Sequence, residues 1–538
     1  MIEGKEVVSS VGAIAAQPQE AARVGARIME QGGNAFDAAA ASALASCLLQ
    51  PQSTGITGYV LCAVVRDGET GEIWSLDANS VAPAAAREDM YEILPASGDP
   101  SDLNSREYGC SVRDDANVHG PLAVGVPGMG AGIGTLWERW GRLEWPEIVA
   151  PTQQLLADGP QFGGTAGAVK SLENVARRYP ATARQLLVDG RLPEPEDIMR
   201  RPGLDRTLER IAQAGWRDIY RGDLAREIAD FVQDSGGILT FEDMAAFEPR
   251  VTPTLRTTYR DATVHGPILP NGTMTCLQIL NMLERFDPAD DGDVMYWHRL
   301  AEVLKLAWRD RLEYVTDPDF ADVPVERLLS KDYAAGLVER TRQFPRWVDD
   351  LPSRFPPGAM HGTLHLSTAD AEGNLVSATI TQGMAFGACF VAGDTGLILS
   401  HGMCRFDPRP GRMNSVAPGK RPLNNVGTML IETPERVIAT GLPGGRKIVS
   451  VMARAAQRFI EAGAGPLQAA EAPRMHVEAA EPVQVTESLG EETIGGLREM
   501  GHEIEAVAGV AGAMHSADFD RAGGTVRAGG NHWAAAVE

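Results

Sequence analysis

The segment GTLHLSTADAEGNLVSATIT, residues 362–381, alternates between polar and apolar side chains. Successive residues of a β-strand point to opposite faces of the sheet, so Thr363, His365 and Ser367 share one face of a first strand. The five residues DAEGN, at 370–374, have the composition of a short hairpin loop, with a glycine where a positive φ is needed. The segment therefore predicts a β-hairpin with one polar face.

The return strand of this hairpin carries hydroxyl side chains at Ser377, Thr379 and Thr381. Folding about the loop brings Thr381 beside Thr363, to within one residue of register. Two interpretations of the polar face are open. It is either a half-exposed sheet surface whose hydroxyls face water, or part of a catalytic site.

The segment before the hairpin, RWVDDLPSRFPPGAMHG at 346–362, has no periodicity and is interrupted by proline and glycine, which predicts a linker or exposed loop. A threonine becomes a nucleophile when it is N-terminal, because its own α-amino group then serves as a base. That chemistry requires cleavage between Gly362 and Thr363. A small residue and a flexible lead-in would let the Thr363 hydroxyl attack the preceding carbonyl, so we predict a processing site at this bond.

Two further segments are candidates for binding or catalysis. In GLPGGRKIVS, Gly444 and Gly445 precede a predicted helix, whose unpaired backbone N–H groups suit a developing oxyanion. The same glycines could form a tight turn or a phosphate-binding loop. The polar loop PGKRPLNNVGT, at 418–428, contains Asn424 and Asn425, which could hydrogen-bond a substrate.

The composition limits the classes of partner. The chain has 72 acidic and 49 basic residues, a net charge of −23, and it is 44% hydrophobic. Nucleic acid and anionic membranes are disfavoured as partners because neither gains from approaching a negative surface. No apolar run reaches the roughly 20 residues that span a bilayer, and the N-terminus lacks a secretory pattern, so we expect a cytoplasmic protein. The scattered cysteines and histidines predict free thiols, no metal site and no cofactor.

The rest of the chain divides by pattern. Residues 20–50 predict two helices separated at Gly32-Gly33, and residues 145–345 predict a mostly helical region. Residues 119–141 predict a strand, a glycine-rich turn and a helix, but the glycines do not fit a dinucleotide-binding fingerprint. Residues 363–538 predict short strands and tight turns.

Taken together, several ordered segments resemble the gamma-glutamyltransferase family of N-terminal-nucleophile hydrolases. Besides the hairpin, they are GGNAFDAAAASALA (32–45), LAVGVPGMGAGIGTLWERWG (122–141), RDRLEYVTDPDFADVP (309–324), PGKRPLNN (418–425) and GLPGGRKI (441–448). The resemblance covers nearly the whole chain. It implies an α+β fold, a four-layer αββα sandwich, and self-cleavage into a large subunit (1–362) and a small subunit (363–538) that together form one αββα unit.

The resemblance also implies roles for the matching positions. Thr363 would be both the self-processing residue and the acyl-accepting nucleophile, and Thr381 would hydrogen-bond it. The backbone of Gly444 and Gly445 would form the oxyanion hole. The positions of two family serines that hold the substrate's α-carboxylate are here Asn424 and Asn425.

Four further positions depart from the family pattern. Leu364 stands where the family has a second threonine directly after the nucleophile. Asn79 of NSVAP replaces an arginine that grips the α-carboxylate, and Gly383 replaces an asparagine two residues after the second threonine. Arg405 of SHGMCRF stands where an aspartate pairs with the α-amino group.

These departures argue against a γ-glutamyl substrate. Its α-ammonium would meet the guanidinium of Arg405, and two charges a few ångströms apart differ by several kcal/mol when one sign is reversed. Its α-carboxylate would lose a bidentate clamp. Arg405 instead favours a carboxylate near the scissile amide, as in oxamate or a dicarboxylic acyl amide, substrate classes that the family includes. A structural ion pair of Arg405 is the alternative.

We therefore expect a self-processing amidohydrolase that acts on a small carboxylated amide. The alternatives are a gamma-glutamyltransferase or glutathione hydrolase, and an unprocessed, non-catalytic member of the family. The expected partners are the small-molecule substrate and the two subunits of one precursor, with a homodimer as a candidate assembly.

Overall fold

The computed structural model describes residues 1–95, 108–343 and 361–538. The predicted linker at 346–362 lies outside the described residues except for its last two positions. The fold class is α+β, as predicted, with helices beside a large antiparallel sheet. The bond between Gly362 and Thr363, the predicted cleavage site, lies inside a strand.

Helices are distributed over the whole described part of the chain. They are α1 (Gln19–Glu30), α2 (Ala35–Leu49), α3 (Met129–Trp140), α4 (Trp145–Asp158), α5 (Thr165–Ser171), α6 (Glu173–Arg178), α7 (Pro180–Leu186), α8 (Leu204–Ala214), α9 (Asp218–Arg221), α10 (Asp223–Asp234), α11 (Phe241–Ala246), α12 (Thr273–Leu283), α13 (Val294–Tyr314), α14 (Val325–Leu328), α15 (Lys331–Gln343), α16 (Lys447–Glu461), α17 (Pro466–Glu471) and α18 (Glu491–Glu499). A 3₁₀ turn at Gly402–Arg405 completes the helical segments that bear on the site.

The strands form one large sheet and one small sheet. They are β1 (Ile2–Ser9), β2 (Gly12–Ala16), β3 (Val60–Arg66), β4 (Ile73–Asn79), β5 (Arg250–Pro253), β6 (Leu255–Tyr259), β7 (Ala262–Gly266), β8 (His361–Asp370), β9 (Leu375–Met384), β10 (Met429–Glu432), β11 (Arg436–Gly441), β12 (Met475–His476), β13 (Val483–Thr486), β14 (Ile504–Val507), β15 (His515–Asp520) and β16 (Val526–Ala536). The large sheet has the hydrogen-bonded order β5-β4-β3-β9-β8-β2-β16-β15-β11-β10-β7-β6, with β1 also paired to β16, and the small sheet has the order β12-β13-β14.

The predicted hairpin, β8–β9, packs face to face against strands with which it does not pair. The Ser377 hydroxyl donates a hydrogen bond to the Thr440 carbonyl of β11 at 2.8 Å. The Ser367 hydroxyl donates to the His515 carbonyl of β15 at 3.1 Å. The polar face is therefore buried between strands, and Ser367, Ser377 and Thr379 are at most 1% exposed. The interpretation of this face as a water-facing surface is wrong.

Helices cover the strands on two sides. Helices α1 to α4 share a buried apolar cluster with β3, β8 and β9. Helices α12, α13 and α16 share a second cluster with β7, β10 and β11. Both clusters bury apolar area that would otherwise face water, which stabilises the fold.

Helix α2 ties the first cluster to the hairpin. All of its residues except the last are buried, because alanine side chains let neighbouring backbones approach closely. The Asn34 side chain accepts hydrogen bonds from the Phe36 and Asp37 amides, which begins the helix with a capping box. The Ala35 amide donates to the Asp370 carboxylate at the hairpin loop, at 2.9 Å. The helix start and the hairpin turn therefore fix each other.

Two expectations about elements differ from the structure. The region at 145–345 is mostly helical but also contains β5, β6 and β7, in a segment rich in β-branched residues that favour strands. The strand expected near 122–126 is reduced to a 3₁₀ turn at Pro121–Ala123 and an isolated bridge between Val81 and Val126.

Two further findings bear on the predicted environment. All six cysteines are free thiols, as the sequence predicts, and all six are buried. Across the described ranges, no helix combines the length and the apolar character needed to cross a lipid bilayer.

Candidate active site

The pairing of β8 with β9 brings the predicted nucleophile to the second threonine. Thr363 pairs with Thr381, whereas Gly362 pairs with Gly383, so the register shifts between the two residues of the predicted cleavage site. Gln382 is the extra residue that this β-bulge leaves unpaired. The predicted proximity of Thr363 and Thr381 is confirmed.

The Thr381 hydroxyl contacts three groups around the predicted cleavage bond. Its oxygen lies 2.9 Å from the Thr363 hydroxyl oxygen and accepts a hydrogen bond from the Gly383 amide at 2.7 Å. The hydroxyl also donates to the carbonyl oxygen of Gly362. Because a hydroxyl has one proton and two acceptor positions, the Thr363 hydroxyl is the donor in the pair. This arrangement orders both the Thr363 hydroxyl and the Gly362 carbonyl, which belong to the two residues of the predicted cleavage site.

Gly362 is required by close approach of the backbone. A Cβ at this position would lie 2.6 Å from the Gln52 carbonyl oxygen and 2.9 Å from the Met384 carbonyl oxygen. Neither is a flexible side-chain end, so a larger residue would displace the backbone around the bond. The small residue noted in the sequence is therefore required by packing, and its part in processing stays a prediction.

Two side chains from the segment 400–406 hold the end of β9. The Arg405 guanidinium donates to the Gly383 carbonyl at 2.8 Å, and the Met384 amide donates to His401 Nε2 at 3.0 Å. Gly383 has a φ of +93°, and a Cβ there would lie 2.2 Å from His401 Nε2. His401 and Arg405 thus take the space that the family's asparagine side chain would need.

The sequence did not identify His401 as a site residue. The side chain is fully buried, and burial, followed by the nearby Arg405 charge, holds its pKa well below the ordinary value. A neutral imidazole can keep Nε2 free to accept from the Met384 amide. Its position four residues before Arg405, in the segment already singled out, was the only sequence signal.

Arg405 lies at the end of the 3₁₀ turn, half-buried, with its guanidinium carbon 5.7 Å from the centre of the Tyr59 ring. Its own carbonyl accepts from the Tyr108 hydroxyl at 2.7 Å and from Asn414 Nδ2 at 2.8 Å. The structure therefore places this arginine next to the Thr381–Gly383 backbone and holds it on both its backbone and its side chain, whereas its substrate-binding role stays a prediction.

Asn79 lies in line with the threonine pair but farther away. Asn79 pairs with Val60 and Val60 pairs with Thr381, so Asn79, Val60, Thr381 and Thr363 follow one another across four strands. Three strand spacings correspond to about 14 Å. The buried Asn79 amide donates to the Pro422 carbonyl at 2.9 Å and so supports the loop at 418–428.

In that loop, Asn424 is held inside the protein. Its Nδ2 donates to Asn271 Oδ1 at 2.7 Å, and its Oδ1 accepts from the Val426 amide at 2.9 Å. Arg311, which the sequence analysis did not single out, donates from Nη2 to Asn425 Oδ1 at 2.9 Å. The substrate-binding role stays a prediction, and for Asn424 it would require a change in these contacts.

The Gly444–Gly445 turn connects β11 to α16. A Cβ at Gly441, the last residue of β11, would lie 2.3 Å from the His365 ring, so this strand end faces β8. The chain then continues past Gly441 in the direction of Thr363. Among the residues that the structure describes, the Gly444 and Gly445 amides donate no hydrogen bond. Such amides before a helix suit an anion, and their oxyanion role stays a prediction.

His365 belongs to the buried polar layer below the threonine pair. Its Nδ1 lies 2.9 Å from the Thr379 hydroxyl and its Nε2 lies 3.0 Å from the Ser367 hydroxyl. Both ring nitrogens are thus used within the hairpin. Cys404, beside Arg405, is a buried thiol.

Three kinds of comparison with known proteins, against family models, relatives and solved structures, agree. A family model described as Gamma-glutamyltranspeptidase matches residues 21–537. The chain is 33% identical to the Acylase ACY 1 proenzyme of Pseudomonas sp. (strain SE83) over 529 residues. This alignment covers 96% of this chain and 91% of that relative. It is 30% identical to the Glutathione hydrolase proenzyme of Escherichia coli (strain K12), over 86% of this chain and 80% of that relative. The crystal structure of cephalosporin acylase from Bacillus halodurans superimposes with a TM-score of 0.86 at 26% identity, covering 99% of this chain and 97% of the other.

Proposed function

The chain belongs to the gamma-glutamyltranspeptidase family of enzymes, and within that family we propose that it is a self-processing amidohydrolase with an N-terminal threonine nucleophile. It cleaves the amide of a small, carboxylate-bearing substrate. One observation carries the proposal. The Thr381 hydroxyl contacts both the Thr363 hydroxyl and the carbonyl oxygen of Gly362, so the attacking atom and the bond to be broken share one hydrogen-bonding partner.

Self-cleavage begins when Thr363 Oγ1 bonds to the Gly362 carbonyl carbon. The Thr381 hydroxyl donates to the oxygen on which negative charge develops. The peptide C–N bond then breaks, which leaves an ester between Gly362 and the Thr363 side chain and a free Thr363 amine that takes up the hydroxyl proton. Water hydrolyses the ester, releases the Gly362 carboxylate and restores the hydroxyl.

The mature enzyme repeats this chemistry on a substrate. The freed α-amine of Thr363 accepts the proton of its own hydroxyl as the oxygen attacks the substrate carbonyl. The Gly444 and Gly445 amides stabilise the oxyanion, and the protonated amine then protonates the leaving amine. An acyl-enzyme on Thr363 remains, and water hydrolyses it.

The substrate class follows from Arg405. A guanidinium held at the carbonyl of Gly383, two residues from Thr381, attracts a carboxylate near the scissile amide and repels an α-ammonium. Oxamate-like amides and dicarboxylic acyl amides have such a carboxylate without the ammonium. The similarity to an acylase proenzyme and to a cephalosporin acylase structure supports this choice.

A glutathione hydrolase is the second candidate, because the Escherichia coli relative carries that name. A third candidate is a family member that never cleaves itself and has no catalytic function. The two alternatives predict γ-glutamyl turnover and an intact inactive chain, respectively.

The deciding experiment compares matched amides on the self-processed protein. A glutaryl anilide and a γ-glutamyl anilide differ only in the α-amino group. We expect the glutaryl compound to have a kcat/KM at least 100-fold higher. A preference for the γ-glutamyl compound would overturn the proposed substrate class and favour the glutathione hydrolase, and no turnover of any carboxylated amide would favour the third candidate.

The finer organisation is also part of the proposal. Helices on two sides of face-to-face strands support a four-layer αββα sandwich. Residues 1–362 and 363–538 are the proposed large and small subunits, and both contribute to the buried cluster around α2 and β9. We further propose a cytoplasmic location, which the six free buried thiols support, and a homodimer as the assembly to test.

A further inference from the structure

A cluster of ligand-type side chains lies outside the catalytic region, between α13 and the segment after α18. His298 and Glu302 are four residues apart on α13 and so lie on one face of the helix. His502 follows α18. One ligating atom from each of the three lies within 4.8 Å of the other two, and His298 Nδ1 is 2.8 Å from His502 Nε2.

We propose that His298, Glu302 and His502 bind a transition-metal dication of the zinc class. Two imidazole nitrogens and one carboxylate oxygen form a ligand set that suits zinc, with a fourth position for water. Glu302 and His502 are at most 5% exposed, so the cluster lies largely inside the protein.

The surrounding residues already orient the ligands. His502 Nδ1 lies 2.9 Å from Glu481 Oε1, and a carboxylate on the distal nitrogen is the usual partner of a metal-bound histidine. That bond leaves Nε2, the atom facing His298, as the lone-pair nitrogen. The Lys305 ammonium donates to Glu302 Oε1 at 2.8 Å and to Glu481 Oε1 at 2.5 Å, which fixes both carboxylates.

The hydrogen bonding converts to metal binding without loss of a proton. With both imidazoles neutral and His502 Nδ1–H donating to Glu481, His298 Nδ1 is the donor to His502 Nε2 when no metal is bound. When metal binds, the His298 proton resides on Nε2 instead, and both facing nitrogens present lone pairs. In the cluster and its surroundings, the carboxylates of Glu302 and Glu481 both contact the single ammonium group of Lys305. A bound cation compensates the remaining buried negative charge. The alternative to a metal at this site is a single proton in the hydrogen bond between the His298 and His502 imidazoles.

The site joins the two halves of the chain. His298 and Glu302 precede residue 362, and His502 and Glu481 follow it. If the proposed self-cleavage occurs, the metal links the large and small subunits. This consequence rests on the proposed function, but the binding site does not, because all of its residues are present in the uncut chain.

The test is a zinc titration of the full-length protein after chelator treatment, against a chromogenic chelator as competitor. We expect one equivalent of Zn²⁺ per chain, an affinity at least 100-fold lower for His502→Ala and for Glu302→Gln, and a 10- to 100-fold loss for Glu481→Gln. His532→Ala, which alters an exposed histidine outside the cluster, should bind like the parent. The uncut Thr363→Ala variant should also bind, which separates this proposal from the proposed function.

X-ray absorption of the zinc-loaded parent protein supplies a readout that needs no variant. We expect two imidazole nitrogens in the first coordination shell. Absence of binding by the parent protein would show that a proton alone fills the site and would overturn the proposal. Binding that is unchanged in both His502→Ala and Glu302→Gln would overturn it as well.

Discussion

The Thr381 hydroxyl is held at once by the Thr363 hydroxyl, the Gly383 amide and the Gly362 carbonyl. These contacts use its single proton and both of its acceptor positions, so its orientation is fixed. In this orientation the proton points to the Gly362 carbonyl oxygen, which becomes negatively charged in the proposed self-cleavage. Leu364, where the family has another threonine, offers no second hydroxyl, which leaves Thr381 as the hydroxyl donor to that oxygen.

Replacing Thr381 by valine preserves the side-chain shape and removes the hydroxyl. We expect self-cleavage to slow by about 100-fold or more, because loss of one oxyanion donor costs 10²–10³ in rate. A time course on denaturing gels measures the effect. Thr381→Ser, which keeps the hydroxyl, should cleave within about tenfold of the parent rate. Cleavage of the valine variant at the parent rate would exclude Thr381 from the reaction.

Substitution of the single residue Arg405 tests the proposed substrate class. Arg405→Asp should lower kcat/KM on a glutaryl anilide by at least about 100-fold and raise the relative rate on the γ-glutamyl anilide, because the sign of the charge is reversed. Arg405→Lys keeps the positive charge and should retain more activity than the aspartate variant. An unchanged glutaryl rate in Arg405→Asp would make this arginine structural.

His515 provides a pH prediction. Burial, followed by the nearby His532, lowers the pKa of His515 to about 3. As pH falls below the ordinary value of 6.5, the unfolded chain takes up this proton before the folded chain does, so folded stability falls by about 1.4 kcal/mol per pH unit down to about pH 3. Between pH 7.5 and pH 5.5, we therefore expect the free energy of unfolding to fall by about 1.4 kcal/mol less in His515→Asn than in the parent. Urea unfolding of both proteins at the two pH values measures this difference. Equal losses of stability in the parent and in His515→Asn would contradict the lowered pKa of His515.

At the scale of elements, the β8–β9 hairpin shows what the sequence could predict. Alternation is sufficient to predict the strands and to pair Thr363 with Thr381, because side chains alternate with a period of two. It could not tell which surface covers the polar face, since that depends on β11 and β15 from distant parts of the chain. The same limit applies to His401. It contacts the Met384 amide, 17 residues earlier in the chain, and no local sequence pattern indicates that contact.

At the end of β9, Gly383 stands where the resemblance to the family implies an asparagine, and Gly383→Asn tests why this chain has a glycine there. The asparagine would have to adopt a φ of +93° and its Cβ would meet His401 Nε2 at 2.2 Å. We expect a loss of about 2–3 kcal/mol in stability and slower self-cleavage, because overpacking displaces the bulge. Thermal unfolding and the gel time course measure both effects.

Gly163→Asn is the matched control for that substitution. Gly163 also has a positive φ, +48°, but a Cβ there has no neighbour within 4 Å. Asparagine tolerates this left-handed conformation, so the control should lose no more than about 1 kcal/mol. Equal losses in the two variants would attribute the effect to backbone conformation alone and contradict the packing explanation.

At the scale of the whole molecule, the proposed subunits are interleaved. Strand β2 pairs with β8 and strand β3 pairs with β9, so segments from both sides of Gly362 alternate within one sheet. Composition and charge disfavoured nucleic acid and anionic membranes as partners, but they could not reveal this interleaving, which depends on long-range pairing. We expect the two fragments to remain associated after cleavage, because separation would expose the buried clusters that they share.

The most direct measurement is the intact mass, under denaturing conditions, of purified wild-type protein sampled during incubation, with Thr363→Ala as the uncut control. We expect the full-length mass to disappear and two masses to replace it, one ending at Gly362 and one beginning at Thr363, while amidase activity rises in step. A wild-type chain that stays intact and yet hydrolyses the glutaryl anilide at full rate would contradict the proposed threonine chemistry.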